Sequence, residues 1–321
     1  MKVKGIDFGS VFVASGTLNF FGEGWPYHKW YKMLSGFNFE GSTLIAKTAT
    51  LEARAGNMPL DVDFMPRKFK PDCIRVNVRK GVVLNAVGLS NPGLMWLLQL
   101  NRWQKLEKPF VLSIMPVQDT MEKRIQEVIM MASMIANESK NFYAPFMVEL
   151  NISCPNVEHK SIQYRNEYSR QLQALRMILP DNVPVMLKVN INFSVEMAAE
   201  FFTEKWIDVL DISNTIPWGQ YPDEIDWQVL FGHESPLKNF GGGGLSGKPL
   251  LPLVVAWLKC LRQVEDNLPI AAGGGVLKPR DVDLLVEAGA NAVSIGSVAI
   301  LRPWRVKKIV GRAKELLEGA E

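Results

Sequence analysis

The sequence predicts a (β/α)8 barrel with long active-site loop insertions, formed by a single domain over residues 1–321. Two observations predict this fold: short runs of apolar, β-rich sequence recur along the chain, and amphipathic stretches separate them. Continuous apolar runs are typical of strands buried on both faces of a parallel sheet. Strands that alternate with helices indicate an α/β fold, and barrels of this length commonly form one domain.

The predicted elements follow one another in a regular order. The strand candidates are residues 11–15, 44–49, 110–115, 147–153, 185–189, 209–213, 269–273 and 292–296. Helical spacing of apolar residues covers 120–137, 166–179, 249–264, 279–288 and 303–317. Asp119 or Thr120 is placed to cap the first of these helices. The long connections 52–80 and 216–244 are predicted to be active-site lids, because long loops in compact domains are usually functional.

Composition narrows the class of protein. The net charge is +3 with both signs interspersed, which does not indicate nucleic-acid binding but suits a small anionic ligand. Three cysteines, Cys73, Cys154 and Cys260, form neither a disulfide framework nor a zinc pattern, and are too few for a four-thiolate iron–sulfur cluster. We therefore expect a reducing, cytoplasmic setting. No signal-peptide pattern or membrane-length apolar run is present, so no membrane association is expected.

Polar residues gather where the predicted strands end. The carboxyl ends of barrel strands meet at one rim, where active sites lie. Lysines, amides and hydroxyls occupy these positions without a nearby carboxylate cluster, which favours an anionic or carbonyl-rich ligand. A lysine is seldom buried unless it is paired. Lys47 and Lys188 are therefore interpreted as charges held against such a ligand, the alternative being rim lysines that reach solvent.

Glycines follow the last two predicted strands. Gly273, Gly274 and Gly275 precede the helical pattern that begins at residue 279, and Gly296 and Ser297 follow the eighth run. The corresponding loops of barrels commonly bind phosphate through backbone N–H groups. Glycine also lets the backbone approach a ligand closely. These loops predict a phosphate site, and tight turns without a ligand are the alternative.

Cys154 stands just past the end of a predicted strand. A lone cysteine is usually a small buried hydrophobic residue. Its position before Pro155, between Asn151 and Asn156, favours an exposed loop instead. A thiol can act as a general base if its surroundings favour ionisation. Spacing alone leaves the catalytic and structural interpretations equally open. Cys73 and Cys260 lack such a setting and are predicted to be structural, Cys260 on the apolar face of a helix.

Nine short motifs are spread over residues 14–300: ASGT at 14–17, KTATLEARAGN at 47–57, LNAVGLSNPG at 84–93, ELNISCPNV at 149–157, LKV at 187–189, NT at 214–215, GGLSG at 243–247, AGGGV at 272–276 and IGS at 295–297. Together they resemble the dihydroorotate dehydrogenase family, in its soluble class with a cysteine base. Their order and spacing make the resemblance specific, and ELNISCPN is the strongest single segment. The segments GTL, FGEGW and TLEARAGN resemble the NAD-linked type of this class.

The resemblance implies an FMN-dependent oxidation of (S)-dihydroorotate to orotate in pyrimidine biosynthesis. It implies that Cys154 takes the proton from C5 while a hydride passes from C6 to the flavin N5, and that Lys188 stabilises the reduced ring. The implied substrate-binding residues are Lys47, Asn85, Gly88, Leu89, Asn151, Asn156, Asn214 and Thr215. The implied cofactor-binding residues are Ala14, Ser15, Gly16, Lys47, Thr48, Ser113, Asn151, Lys188, Ser213, Gly247, Gly274, Gly275, Gly296 and Ser297. A homodimer and a partner subunit with FAD and an iron–sulfur cluster are also implied.

Several segments depart from the family pattern. Ser113 stands where an asparagine is expected, the lid after Asn156 lacks its usual glycines, 58–80 is longer than usual, and 216–218 is bulkier. These changes surround the substrate rather than the phosphate. The alternative is therefore a paralogous flavin oxidoreductase acting on another dihydropyrimidine or cyclic amide. A flavin-binding protein without turnover is a third possibility. The family residues Lys47, Cys154 and Asn214 are intact, which disfavours it.

Overall fold

The computed structural model describes residues 1–35, 37–152 and 162–319. Its strands are β1 Lys2–Val3, β2 Ile6–Asp7, β3 Val11–Val13, β4 Thr43–Leu44, β5 Ile74–Asn77, β6 Val82–Asn85, β7 Phe110–Ile114, β8 Phe146–Asn151, β9 Val185–Val189, β10 Val209–Ile212, β11 Ile216–Pro217, β12 Gly244–Gly247, β13 Ile270–Ala272 and β14 Ala292–Ile295. Its helices are α1 Pro26–Ser35, α2 Leu94–Gln99, α3 Met121–Glu138, α4 Ile162–Ile178, α5 Val195–Thr203, α6 Trp227–Phe231, α7 Leu250–Val264, α8 Pro279–Glu287, α9 Val298–Leu301 and α10 Val306–Leu317.

Eight parallel strands form the barrel. Their order is β4-β3-β14-β13-β10-β9-β8-β7. Parallel bridges from Ile45 to Val111 and from Ala49 to Ile114 join the two ends of this order. Each predicted strand run overlaps one barrel strand, so the predicted (β/α)8 fold is confirmed.

Helices surround the barrel much as the apolar spacing predicts. The predicted cap of α3 is Thr120, whose Oγ1 accepts a hydrogen bond of 3.3 Å from the Lys123 N–H. The predicted helix 303–317 is divided into a 3₁₀ turn, Pro303–Arg305, and α10. Two longer helices, α1 and α5, were not predicted. Among the described residues, no helix has both the length and the apolarity needed to cross a bilayer.

The barrel interior is built in layers because alternate residues of a strand point to the same side. One buried layer takes an apolar residue from each strand or its immediate continuation: Phe12, Ile45, Val111, Met147, Met186, Val209, Ala271 and Ala292. Val3 and Phe8, from the segment containing the antiparallel pair β1–β2, pack against this layer and close the amino-terminal end. Two positions further along each strand lies the next inward layer, which is the floor of the site described below.

The two long connections and the residues that directly follow them form a second sheet that the sequence did not predict. Strands β11, β12, β6 and β5 form an antiparallel sheet in that order. Its central pair joins Gly244 to Asn85 and Gly247 to Val82. Segments more than 150 residues apart in the chain therefore make one hydrogen-bonded unit above the carboxyl-terminal rim of the barrel.

Candidate functional site

A cavity of about 600 Å³ lies between the barrel rim and the antiparallel sheet. Most of the predicted site residues line it: Ala14, Ser15, Gly16, Lys47, Thr48, Asn85, Gly88, Leu89, Asn151, Lys188, Ser213, Asn214, Thr215, Gly274, Gly275, Gly296 and Ser297. Ser113 and Gly247 stand behind this lining. Cys154 and Asn156 lie outside the described residues. Sequence reasoning missed part of the lining, including Trp25, Tyr27, Arg54, Met58, Phe69 and Phe240.

Lys47 is a buried cation that faces the cavity. Its side chain donates a hydrogen bond to the Ser90 carbonyl oxygen, and its Nζ lies 4.9 Å from the centroid of the Phe20 ring. No ion pair to Lys47 is formed within the described part of the chain. Burial lowers the pKa of Lys47 to about 7. An anion in the cavity would therefore meet a lysine that titrates near neutral pH, has no competing carboxylate, and is driven to its charged form by the anion itself.

Amides and hydroxyls form a connected row along the rim. Asn214 Nδ2 donates to Asn151 Oδ1 and Asn151 Nδ2 donates to Thr48 Oγ1, each at 3.4 Å. Thr48 Oγ1 lies 3.0 Å from Ser15 Oγ, and Ser15 Oγ donates to the Ala46 carbonyl at 2.9 Å. Each amide keeps further donor and acceptor capacity for a ligand. The row can therefore orient a planar ring that carries carbonyl and N–H groups.

Beneath this rim lies a cluster of charged side chains. Ser113 Oγ lies 2.8 Å from Thr48 Oγ1 and donates to Glu149 Oε1 at 2.5 Å. Lys188 Nζ is 2.6 Å from Asp211 Oδ2 and 3.8 Å from Glu149 Oε2. The expectation that no carboxylates stand near the rim is therefore wrong.

A sequence signal for this cluster did exist. Glu149, Lys188 and Asp211 interrupt apolar strand runs at positions two residues after the interior residues Met147, Met186 and Val209, so they share the inward side of their strands. Ser113 stands in the same relation to Val111. Ser113, which stands where an asparagine is expected, thus hydrogen-bonds with Glu149 and Thr48 and does not line the cavity.

The glycine loops bring bare backbone to one side of the cavity. Gly275 has φ +88°, and a Cβ there would lie 2.7 Å from the Gly247 carbonyl oxygen and 3.0 Å from the Leu251 nitrogen. A Cβ on Gly247, where φ is +111°, would lie 2.2 Å from the Gly81 carbonyl oxygen. Gly296 and Ser297 complete this side just before the short helix α9. Loops of this kind suit a phosphate, and with the rim cations and amides the residues fit an FMN.

The bulky segment after Thr215 does not fill the cavity. Ile216 is fully buried, Pro217 lines the cavity, and Trp218 packs against Trp227 with 4.7 Å between ring centroids. Trp218 also contacts Phe231 at 5.7 Å, so its bulk forms a small aromatic core within the insertion. The bulk of residues 216–218 therefore no longer favours a different substrate.

The other two cysteines differ from each other. Cys73 is buried beneath the antiparallel sheet, as expected of a structural cysteine. Cys260 is exposed on α7, so the expectation that it belongs to an apolar helix face is wrong. Within the described residues, no group of His, Cys, Asp and Glu side chains could hold a metal ion.

Comparison with known proteins identifies the family. A family model described as dihydroorotate dehydrogenase matches residues 1–317. The chain belongs to the dihydroorotate dehydrogenase family. The resemblance seen in the motifs is thereby confirmed, and dihydroorotate dehydrogenases are oxidoreductases that act on a CH–CH group.

Curated dihydroorotate dehydrogenases are similar to the chain over most of its length. A protein of Listeria monocytogenes is 27% identical over 304 residues, which cover 93% of this chain and 87% of its own. One of Cutibacterium acnes is 27% identical over 308 residues, with the same coverage. One of Staphylococcus carnosus is 29% identical over 287 residues, covering 87% of this chain and 82% of its own. All three are named dihydroorotate dehydrogenase B (NAD(+)), catalytic subunit.

Solved structures of the dihydroorotate dehydrogenase of Eimeria tenella share the fold. The ligand-free structure has a TM-score of 0.71 and 19% identity, and the match covers 100% of this chain and 88% of that one. A complex with ferulenol has a TM-score of 0.69 and 17% identity, covering 99% and 84%. At this identity the likeness concerns the fold, a barrel of parallel strands surrounded by helices.

Proposed function

We propose that this protein oxidises (S)-dihydroorotate to orotate with a bound FMN, as a single-domain catalytic subunit over residues 1–321 in pyrimidine biosynthesis. The observation that carries the proposal is the cavity in which buried Lys47, the Asn151–Asn214 row and the glycine loops meet. A carboxylate, a cyclic imide and a phosphate are the three ligand groups that this arrangement suits. Family membership supports the same reaction.

The FMN would lie along the barrel rim. The N–H groups around Gly274, Gly275, Gly296 and Ser297 would bind its phosphate, with Gly247 supporting the loop from behind. Ala14, Ser15, Gly16, Thr48 and Ser213 would contact its ring and ribityl chain, supported by Ser113 from below. When bound, the flavin supplies the acceptor for a hydride.

The substrate would lie against the amides. Asn151, Asn214 and Thr215 would bind the amide edges of the ring, and Asn85, Gly88 and Leu89 would contact it from the antiparallel-sheet side. Lys47 would pair with the substrate carboxylate, and Lys188 would stabilise negative charge on the reduced ring. Cys154 would take the C5 proton, with Asn156 beside it. Both residues follow Asn151, which lines the cavity, so the connection is short enough for this role.

Anaerobic titration tests the proposal. The purified protein should carry a flavin, and dihydroorotate should bleach its visible absorption in the absence of oxygen. Dihydrouracil, which lacks the carboxylate, should bleach it far less because it leaves Lys47 without a partner. Equal bleaching by both compounds would favour the paralogous function on another dihydropyrimidine, and a preparation that binds no flavin would refute the proposal.

We further propose that electrons leave through a partner subunit that holds FAD and an iron–sulfur cluster. The curated relatives are named as catalytic subunits of NAD(+) enzymes, and this chain has too few cysteines for such a cluster. NAD reduction by dihydroorotate should then require a second protein, whereas reduction of an artificial dye should not. A homodimer of this chain and a cytoplasmic setting are parts of the same proposal, and sedimentation of the purified chain tests the first.

A further inference from the structure

The charged cluster beneath the rim contains two carboxyl groups and one ammonium group. Glu149 is 0% exposed, Asp211 is 1% exposed and the Lys188 side chain is 7% exposed. Only Lys188 among these three lines the cavity. The lysine therefore connects the interior of the barrel to the proposed flavin, and the carboxyl groups act on the cavity through it.

The hydrogen bonds of this cluster leave two oxygens unsatisfied. Glu149 Oε1 accepts from Ser113, and Asp211 Oδ2 accepts from Lys188. Glu149 Oε2 and Asp211 Oδ1 are buried without a hydrogen-bond partner when both groups are ionised. A buried acceptor without a donor destabilises the folded protein, and two adjacent carboxylates repel each other. One proton between the two groups removes both costs.

The charged groups that act on Glu149 come from the next two strands of the barrel on one side. They are Lys188 on β9 and Asp211 on β10, while Ser113 on β7 contributes a neutral hydroxyl. Burial raises the pKa of Glu149 to about 7; the charge of Lys188 opposes this shift, and Asp211 adds to it by its charge and by a hydrogen bond to the protonated group. Burial disfavours the charged form of Lys188, but Asp211 and Glu149 outweigh it and raise the pKa of the lysine.

We propose that Glu149 and Asp211 share one proton and act as positioning residues that hold Lys188 charged at the floor of the cavity, so that the cluster as a whole is neutral. The part that concerns the flavin rests on the proposed function. The shared proton itself is a property of the barrel interior and does not depend on a bound cofactor.

The net charge of the cluster can be predicted for each variant. In Glu149→Gln or Asp211→Asn, the remaining carboxyl group ionises and pairs with Lys188, so the cluster stays neutral. In the double variant, burial without a counter-ion drives Lys188 to release its proton, so the cation beside the proposed flavin is lost. In the unaltered protein, loss of the shared proton above about pH 7 leaves one net negative charge.

Infrared spectroscopy of the flavin-free protein tests the shared proton. A buried protonated carboxyl group gives a carbonyl band that a carboxylate lacks. At pH 6 the unaltered protein should show this band and lose it at pH 9. Both single variants should lack it at pH 6, including Asp211→Asn, in which Glu149 is intact. Glu167→Gln is the matched control: Glu167 is also buried and ion-paired, to Arg124 at 2.6 Å, but it lies on the outer helices, so the band should persist.

The midpoint potential of bound flavin tests the positioning role. Below pH 7 each single variant should match the unaltered protein, and above pH 7 each should have a higher potential. Above pH 7 the double variant should have a lower potential than the single variants, because Lys188 no longer carries a charge; a tenfold weaker stabilisation of the reduced flavin is about 30 mV for a two-electron couple. Glu167→Gln should change nothing.

The two ideas fail in different ways. A protein that binds no flavin refutes the proposed function, and the infrared test remains valid. Absence of the carbonyl band at pH 6 in the unaltered protein, or its survival in Asp211→Asn, overturns the shared proton. If the single variants do not fold, the unaltered protein at the two pH values still decides that point. A double variant whose flavin midpoint potential equals that of the single variants above pH 7 overturns the positioning role.

Discussion

Lys47 holds its ammonium group over the ring of Phe20, with Nζ 4.9 Å from the ring centroid, while donating to the Ser90 carbonyl oxygen. The ring face is the negative part of the aromatic quadrupole, so this contact stabilises a cation without neutralising it. A carboxylate in the same place would satisfy the lysine fully and compete with an anionic ligand. The contact with Phe20 leaves the Lys47 charge able to pair with an anionic ligand. Burying this charge without a carboxylate lowers the stability of the folded protein.

That cost can be measured in the variant Lys47→Met. The folded-state pKa of about 7 lies below the ordinary lysine value of 10.5, so the penalty for burying the charge is complete below pH 7 and fades as pH rises towards 10.5. Replacing a buried charge by an apolar side chain of similar size often stabilises a protein by about 1–4 kcal/mol. We expect the flavin-free variant to gain stability of this order at pH 6 and little at pH 10.

Chemical denaturation at the two pH values measures this gain in stability. The variant also loses the hydrogen bond to Ser90, which reduces the gain at both pH values. The variant should also lose dihydroorotate binding. An equal change in stability at pH 6 and pH 10 would contradict the role assigned to the lysine charge.

The same lysine predicts a pH dependence for ligand binding. A bound carboxylate favours protonated Lys47, so the affinity for orotate should be constant below pH 7 and fall by up to about tenfold per pH unit above it, the limit for coupling to one proton. Uracil lacks the carboxylate and should show no such fall near neutrality. Equilibrium titration of the oxidised protein with both ligands avoids turnover, and parallel curves for the two would exclude a Lys47–carboxylate contact.

Gly275 predicts a specific loss of cofactor binding. In Gly275→Ala, the new methyl group would lie 2.7 Å from the Gly247 carbonyl oxygen. The φ of +88° at this position is also unfavourable for alanine, so the loop must shift. FMN affinity should fall by about tenfold or more, since one displaced hydrogen bond to a charged group is worth about 1.5–3 kcal/mol. Gly5→Ala is the control, because Gly5 has φ +79° but no atom within 4 Å of the new methyl. Similar flavin affinities in the two variants would count against a phosphate site in this loop.

Cys154→Ser tests the proposed base. The hydroxyl is a far weaker base than a thiolate, and a general base typically contributes about 10²–10⁴-fold to the rate. Flavin reduction by dihydroorotate should slow within that range, with FMN content and orotate affinity nearly unchanged. Cys260→Ser, on the exposed side of α7, should behave like the unaltered protein. Stopped-flow measurement under anaerobic conditions gives the rate, and an unchanged rate in Cys154→Ser would mean that another group takes the proton.

The barrel was predictable because its determinants are local. Each strand run is mostly apolar, and residues such as Thr120 mark helix starts by hydrogen bonds that depend on adjacent sequence. The gathering of Lys47, Asn151 and Asn214 also follows from topology, since the carboxyl ends of parallel strands share one rim.

What the sequence did not yield depends on contacts between distant segments. The pairing of Leu84 with Leu245 creates the second sheet, and neither residue carries a sign of its partner. The cluster of Glu149, Lys188 and Asp211 becomes visible only when the inward side of each strand is followed. Trp218 looked like an obstacle in the cavity because its partner Trp227 stands nine residues away in a loop of unpredicted shape.

The antiparallel sheet gives the cavity a roof that is distinct from its floor. Ser15 and Lys188, which we propose to face the cofactor, belong to the barrel, whereas Asn85 and Pro217 belong to the roof. Changes in the roof can therefore reshape the space offered to a substrate while the electron-accepting machinery stays intact. A chain built this way can acquire a new reactant by exchanging two surface insertions, provided that both are exchanged together.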